Sequence, residues 1–518
     1  MKKTLLAILA LLLGWGGTAF AQTAEDALRY SQLGVAGSAR IQGIGGAQAA
    51  LGADISSLFG NPAGLGMFRR SEFSITPGLQ YSKTKTTIEG IGGGGWNEEE
   101  SMFTVPQLGL VLSNRRADND ESDWRGVNLG IGFSRLNNFN DQVLYNTTAE
   151  APNTIVDYFA DLADGVSQGA LDEEYDSGIT TLEGLAYGTY LINFRDEYGN
   201  PTSFANPLYT VGQSAQIERI MRRGSQNQLD IGVGTSYKDK IYLGASLGIV
   251  TSRFTQESSF REFGNYVDTF DENNEVVLDG EYDLTLRDEF TTRGAGVNLK
   301  VGVIARPTDA LRLGLSIQTP TAYSFTDEYR SSITATTVNP ETGAPETLTE
   351  STLPGEFNYR LTTPFRATGG AAFFIQKYGF ITADVEFVNY GGMRFSEDEE
   401  FSTSSGYFTG VNDAISNTYQ SAINFNVGAE ARYEAFRFRL GYAHSGDPYK
   451  NSDLDGSIKS YTVGAGVRLQ NYFIDLAYVS SNRSTRYSPY TFSSGGGEPI
   501  LNMDRKQESA LLTVGYNF

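Results

Sequence analysis

The chain has 518 residues, with 59 glycines, 15 prolines, 29 tyrosines, 31 phenylalanines, 3 tryptophans and a formal charge of −21. With no cysteine and one histidine, it excludes disulfide scaffolds, thiolate metal sites, cysteine nucleophiles and His-clustered metal centres, and its acidity excludes nucleic acid as a partner. Glycine and aromatics without long apolar runs suit a β-barrel whose lipid and lumen faces average out in composition.

Lys2 and Lys3 precede an apolar run from Leu5 to Leu13, then Gly16-Gly17 and Ala19-Phe20-Ala21. A charged start, a short apolar stretch and a small-x-small site read as a secretory signal peptide over residues 1–21. The run is too short to span a bilayer, which needs about 20 residues. No later stretch reaches that length, so the mature chain, from Gln22, is expected to carry no helical anchor.

Residues 22–70 do not alternate. Small residues dominate Gly34 to Gly66, ending in Asn61-Pro62-Ala63-Gly64-Leu65-Gly66. Pro62 forces Asn61 out of the helical region, which makes a turn. A flexible linker is also glycine-rich, but it would lack Ile41, Ile44, Leu51, Ile55, Leu58 and Leu65. These residues predict a segment packed inside a confined space, a lumenal hatch.

From Ser71 onward, period-2 alternation recurs. Leu229, Ile231 and Val233 alternate with Asp230, Gly232 and Gly234, and Phe436, Phe438 and Leu440 with Arg437, Arg439 and Gly441. About fourteen such segments are expected, an even number as bacterial single-chain barrels require. Their centres lie near Phe73, Leu108, Leu129, Ile231, Leu243, Leu299, Leu313, Ala371, Val385, Val427, Phe438, Val463, Ile474 and Val514. Short joins (Lys238–Lys240, Pro307–Asp309, Lys377–Gly379, Glu434-Ala435, Gln470-Asn471) alternate with long polar stretches. The long ones are read as loops: Thr84–Glu100, Asn138–Gln226, Glu257–Glu281, Ser332–Gly355, Ser396–Asn417, Ser445–Ser457 and Ser481–Asp504. Asn138–Gln226 is too long for a structureless loop. Asn153-Thr154 is placed to cap a helix through Ile155, Phe159 and Leu162, and Ala215–Arg222 reads as a second helix. In the last strand Ala510, Leu512, Val514, Tyr516 and Phe518 share one face. This is a transmembrane antiparallel barrel, residues 71–518, in the outer membrane of a Gram-negative bacterium, with long loops outside and short turns in the periplasm.

The terminal aromatic strand resembles the signal by which the barrel-insertion machinery receives its clients. The Gly/Ala-rich approach to Asn61, Pro62, Ala63 and Gly64, just before the first strand, resembles the N-terminal hatch of the FadL/TodX/OMPP1 group, outer-membrane transporters of long-chain fatty acids and other hydrophobic compounds. The resemblance is specific over roughly Gly34 to Leu79 and architectural beyond. It implies a hatch that plugs the barrel, a hydrophobic ligand or lipid in the lumen, and lateral release into outer-membrane lipid at the third strand. Gly130, Gly132, Asn137 and Asn138 would tolerate the kink such an opening needs.

Catalytic chemistry is not expected. His444 has Ser445 and Asp447 as neighbours, but adjacent strand residues point to opposite faces, and His444 reads as an exposed rim residue. Asn451-x-Asp453-x-Asp455-Gly456 begins like a calcium loop, yet its twelfth position is Thr462 rather than a bidentate Glu, so an acidic turn is favoured. Asp230, Arg312, Glu430, Arg432, Arg437 and Arg439 read as lumenal charges of mixed sign. They either clamp the hatch by pairing or bind an anionic head group. Three functions follow: passive transport of a hydrophobic molecule, a docking platform for proteins at the extracellular loops, and, least supported, a water-filled porin. No cofactor is implied.

Overall fold

The computed structural model describes residues 23–89, 95–116, 120–196, 200–208, 210–270, 276–338, 344–398 and 406–518. The expected signal peptide, residues 1–21, lies outside the described residues.

Fourteen antiparallel strands close into a barrel. They are β1 (Glu72–Ile88), β2 (Trp96–Arg115), β3 (Trp124–Asn138), β4 (Thr210–Tyr237), β5 (Ile241–Phe270), β6 (Val276–Ala305) and β7 (Leu311–Gln318). The circuit continues through β8 (Arg366–Ile375), β9 (Gly379–Asn389), β10 (Ser421–Tyr433), β11 (Phe436–Ser445), β12 (Ile458–Arg468), β13 (Tyr472–Tyr487) and β14 (Leu501–Asn517). Each pairs with the next, and β14 returns to β1, with Glu72 opposite Asn517 and Ile75 opposite Val514. Each of the fourteen expected centres falls in its own strand. Closure joins the first strand to the last, the condition a sheet must meet in hydrocarbon.

One face of every strand carries exposed apolar residues. On β5 these are Ile241, Leu243, Leu247 and Ile249; on β14, Leu512, Val514 and Tyr516. Tyr472, Tyr516 and Phe518 stack into an aromatic girdle at the short-turn end. Those turns are tight: Lys238 and Asp239 both sit at positive φ, 54° and 52°, the backbone that matches strand twist in a two-residue hairpin. Arg115 grips the turn through two hydrogen bonds to Asp239, at 3.0 and 2.8 Å.

The far end departs from expectation. Much of what reads as loop is strand: β5 runs 30 residues, where a tilted strand needs about 9–11 to cross. Ala215–Arg222, expected as a helix, lies within β4 and pairs with Asp141–Glu150 on one side and β5 on the other. Beyond the lipid both faces of a strand meet water or protein, so apolar alternation disappears. The backbone still needs partners, and the neighbouring strand supplies them.

Above these extensions sits a cap made of helices Ile155–Leu162, Gln168–Ser177 and Leu182–Gly188 with the hairpin Ile192–Arg195/Pro201–Pro207. Thr154 caps the first helix in a reciprocal box with Asp157. Val156, Phe159, Leu185 and Leu191 bury against Phe260, Tyr282 and Leu284 of the strand extensions and against Tyr490. Glu262 is buried at this seam, on the extension of β5 beyond the run of exposed apolar residues Ile241 to Ile249. It accepts from Ile155 N (3.1 Å), Gln216 Nε2 (2.6 Å) and Tyr282 OH (2.8 Å). Burial pushes its carboxyl up to about 7 despite those donors.

An unfolded glutamate titrates near 4.3. Between roughly that pH and 7 the docked cap holds a proton that the undocked chain has released, so cap stability falls as pH rises through the window. Limited proteolysis within residues 151–196 is expected to be faster at pH 8 than at pH 5.5. Glu262→Gln should flatten that dependence, whose full extent is on the order of 3 kcal/mol.

Candidate functional site

The N-terminal segment is a chain of short turns, each started by a capping side chain. Thr23 caps helix Ala24–Ser31, Ser38 caps Ala39–Gln42, Asp54 caps the 3-10 turn Ile55–Leu58, and Asn61 caps Pro62–Met67. Pro62 takes the first position of its turn, where no N–H is required.

Its backbone lies directly on the inner wall. Asn61 Oδ1 accepts from Ala63 N at 3.1 Å, while its Nδ2 donates to Ala49 O at 2.7 Å and reaches Val303 O and Leu315 O at 3.3 and 3.4 Å. Asp384 on β9 accepts from Gln48 N and Ala49 N at 2.7 and 2.8 Å. Asn128 on β3 donates to Leu65 O and Phe68 O, and Thr462 on β12 to Gly43 O. The attachments therefore run around the circumference.

Glycines on the inward face make this approach feasible. A Cβ at Gly244 would fall 2.2 Å from Pro62 O, at Gly314 2.0 Å from Ala49 O, and at Gly441 2.2 Å from Gly45 N. Gly64 closes inside the segment itself, where a Cβ would meet Gly52 Cα at 2.8 Å. The inward glycines were visible in the alternation; that they seat a backbone required the fold.

Three of the six anticipated lumenal charges, Glu430, Arg432 and Arg439, form one network with Asp475. Arg439 donates to Glu430 Oε2 at 2.8 Å and Asp475 Oδ1 at 2.7 Å, and Arg432 to Glu430 Oε1 at 2.8 Å. Arg40 joins from the segment, 3.9 Å from Glu430 and 3.7 Å from Asp54. Asp230 lies elsewhere on the wall, 3.8 Å from Lys300. Arg312 donates to Leu51 O at 2.8 Å, with its guanidinium 4.2 Å from the Phe374 ring centre. Arg437 shares the inward face of β11 with Arg439 but lies at the rim, donating to Glu434 O and Phe436 O, because only one residue separates it from the tight turn.

Among the described residues, the wall is interrupted between β2 and β3. Their ladder runs from Arg115↔Gly126 to Gln107↔Ser134 and stops there. Pro106 has no N–H to offer, and β3 shifts register against β4 between Arg135 and Asn137. Gly130 and Gly132, expected at a kink, instead keep full pairing on both sides. They are small because Leu58 and Leu65 pack on them; a Cβ at Gly132 would meet Leu58 at 2.8 Å. Past the break, side chains replace the ladder. Arg135 donates to Thr104 Oγ1 at 2.7 Å, and Asn138 Nδ2 to Gln80 Oε1 at 2.8 Å beside Met102 Sδ. Asn137 Nδ2 reaches Arg29 O and Gln32 O, both at 3.3 Å, tying the segment to the break. A cavity of about 140 Å³ lies behind it.

Deeper toward the cap, helix Ala24–Ser31 is enclosed by aromatics. Tyr30 packs on Phe325 with ring centres 4.6 Å apart and on Phe139 at 5.8 Å, and the Arg29 guanidinium lies 4.0 Å from the Phe254 ring centre. Sequence reasoning did not find this helix, although Thr23 and Asp26 spell a capping pair. His444 is half-buried with its ring 5.1 Å from that of Phe425, rather than exposed. Asn451 and Asp455 turn their oxygens to Asp453 N and Ser457 N of their own turn.

No protein-family model matches the chain, and no curated protein matches it. Among solved structures, a Pseudomonas aeruginosa FadL homologue superposes with TM-score 0.53 at 12% identity, covering 94% of this chain and 100% of that one. The toluene transporter TodX of Pseudomonas putida gives TM-score 0.49 at 15% identity, covering 94% and 99%. The toluene transporter TbuX of Ralstonia pickettii gives 0.47 at 14%, covering 93% and 99%. The first establishes the class: a fourteen-stranded transmembrane β-barrel of the FadL fold.

Gly314→Val is expected to dislodge the segment while the barrel still folds, an overpacking cost of about 1–3 kcal/mol. Protease cleavage within residues 39–67 should rise, with heat-modifiable gel mobility retained. Gly369→Val, where an added Cβ has nothing within 4 Å, should leave cleavage unchanged.

Proposed function

We propose that the protein is an outer-membrane transport protein of a Gram-negative bacterium. It passively admits a hydrophobic small molecule, a long-chain fatty acid or similar, and releases it sideways between β2 and β3. Residues 22–70 are its hatch, the cap faces the outside, and the tight turns face the periplasm. The observation that carries this reading is the broken ladder past Gln107↔Ser134, closed only by side chains and backed by a cavity. Separating side-chain contacts disturbs no backbone ladder, so this stretch of wall is the least costly to part.

A docking platform for surface or secreted proteins is the second reading. It is favoured by the helical cap and by the aromatic packing around helix Ala24–Ser31, which fills the lumen there.

The chain has no native cysteine, so cross-linking is clean. Met102→Cys with Asn138→Cys joins residues that touch across the break. Oxidation is expected to reduce uptake of radiolabelled oleate and of a labelled alkane at least ten-fold, with recovery on reduction. Unchanged uptake in the oxidised protein would overturn lateral release, and no uptake by the unmodified protein would favour the platform. For the orientation, Gly165→Cys should label from outside intact cells and Asp239→Cys should not; the reverse pattern would invert the barrel.

A further inference from the structure

The outer face of β4, β5 and β6 carries three exposed arginines just past its apolar stretch. Arg253 and Arg293 stand directly opposite in strand register, and Arg223 lies one step further along, opposite Thr255. Arg253 alternates with the buried Ser252 and Phe254, and so shares its face with the exposed Ile249; Arg293 likewise shares a face with Val297. From Ile241, at the tight-turn end of β5, to Arg253, a strand tilted by about 40° climbs roughly 30 Å. The apolar band of such a barrel is about 25 Å tall. The guanidinium groups therefore fall where hydrocarbon gives way to lipid head groups.

Like charges directly opposite destabilise a sheet unless something neutralises them. Arg293 has Glu328, at 2.9 Å, on the neighbouring strand Ala322–Val338. Arg223 and Arg253 form no ion pair and no side-chain hydrogen bond among the described residues. The next acids along the same face, Glu257 and Glu289, stand opposite one another and pair with none of the three arginines. Three arginines against one glutamate leave two positive charges unanswered, in a chain whose formal charge is −21. The exposed lysines of β1 and β14 are arranged otherwise: Lys83 lies 3.0 Å from Glu99 and Lys506 2.7 Å from Glu508.

We propose that Arg223, Arg253 and Arg293 form a site on the outer wall for a membrane glycolipid whose sugar head carries phosphates. Its acyl chains lie along Leu229, Ile249 and Val297, in the hydrocarbon that this face already meets. Its phosphates take the guanidinium forks, which offer paired N–H donors to paired oxygens. The arginines stand on three successive strands and so span about 10 Å, which suits phosphates at separate positions of one head better than a single phosphate. Ser225 and Thr255 stand between them in register and offer hydroxyls to the sugar. The site rests on the orientation in the transport reading, with the cap outside, which puts these arginines in the outer leaflet. It adds a lipid partner on the outer wall, away from the path of the cargo.

The test is native mass spectrometry of the full chain, released from maltoside micelles and titrated with three lipids. These are hexa-acylated lipid A bisphosphate, the same lipid with both phosphates removed, and phosphatidylglycerol. The bisphosphate is expected to bind saturably and at least ten-fold tighter than either comparator. Arg223→Gln/Arg253→Gln, which breaks no ion pair, should weaken it at least ten-fold, and Arg223→Lys/Arg253→Lys should keep part of the binding. Lys83→Gln/Lys506→Gln, matched in charge, should leave it unchanged. Heat-modifiable gel mobility shows that each variant is folded. Equal binding of the phosphate-free lipid, unchanged binding in the Arg223→Gln/Arg253→Gln variant, or an equal loss in the lysine variant overturns the site. Phosphatidylglycerol bound as tightly as the bisphosphate overturns the glycolipid assignment. Labelling of Asp239→Cys from outside intact cells would place the arginines in the inner leaflet and overturn the outer-leaflet site. Uptake of oleate and alkane separates this inference from transport: uptake without a preference for the bisphosphate removes the site alone, and tight bisphosphate binding without uptake removes transport alone.

Discussion

Backbone hydrogen bonding in hydrocarbon governs this molecule. A strand in lipid has no water to satisfy its N–H and C=O groups, so the sheet must close, and β14 returns to β1 to do it. That requirement makes any interruption of the ladder informative. Between β2 and β3 pairing ends at Gln107↔Ser134, and Arg135, Asn137 and Asn138 supply polar contacts in its place. The wall is thus uniform where the backbone holds it and separable where side chains do.

The same rule shapes the interior. The N-terminal segment carries many backbone groups outside regular structure, and it is enclosed by the barrel. It meets its needs with caps (Ser38, Asp54, Asn61) and with wall side chains such as Asp384, Asn128 and Thr462. Such bonds require contact at backbone distance, hence glycine at Gly244, Gly314 and Gly441. Glycine weakens a strand interior by losing entropy and side-chain packing. Here the segment fills the space that a side chain would otherwise occupy.

Charge is distributed by the same logic. Arg439, buried between Glu430 and Asp475, is neutralised within hydrogen-bond distance and holds adjacent strands together while Arg40 approaches from the segment. Arg483 and Arg505 face each other in strand register, with Asp141 Oδ1 3.8 Å from Arg505 Nε. Buried cations that keep their partners are architecture; a like-charge pair brought together by strand register is a separate arrangement. Both kinds lie on inward strand positions, where sequence alternation alone treats them alike.

By itself the sequence determined the barrel, its strand number and its short-turn joins, because lipid on one side and a packed interior on the other impose a period-2 signal on every crossing strand. It also determined the capping turn at Asn61-Pro62, a local matter of φ restriction and one side-chain oxygen. Only the tertiary structure decided where strands end, since Ala215–Arg222 takes its conformation from β5 and Asp141–Glu150 after the apolar alternation has gone. The roles of Gly130 and Gly132 were decided in the same way. Whether an inward glycine kinks a strand or seats Leu58 depends on a segment about seventy residues earlier in the chain, and no local pattern carries that contact. The pairing of Arg483 with Arg505 is likewise a matter of register across a connection of thirteen residues, set by the closure of the barrel rather than by either strand alone.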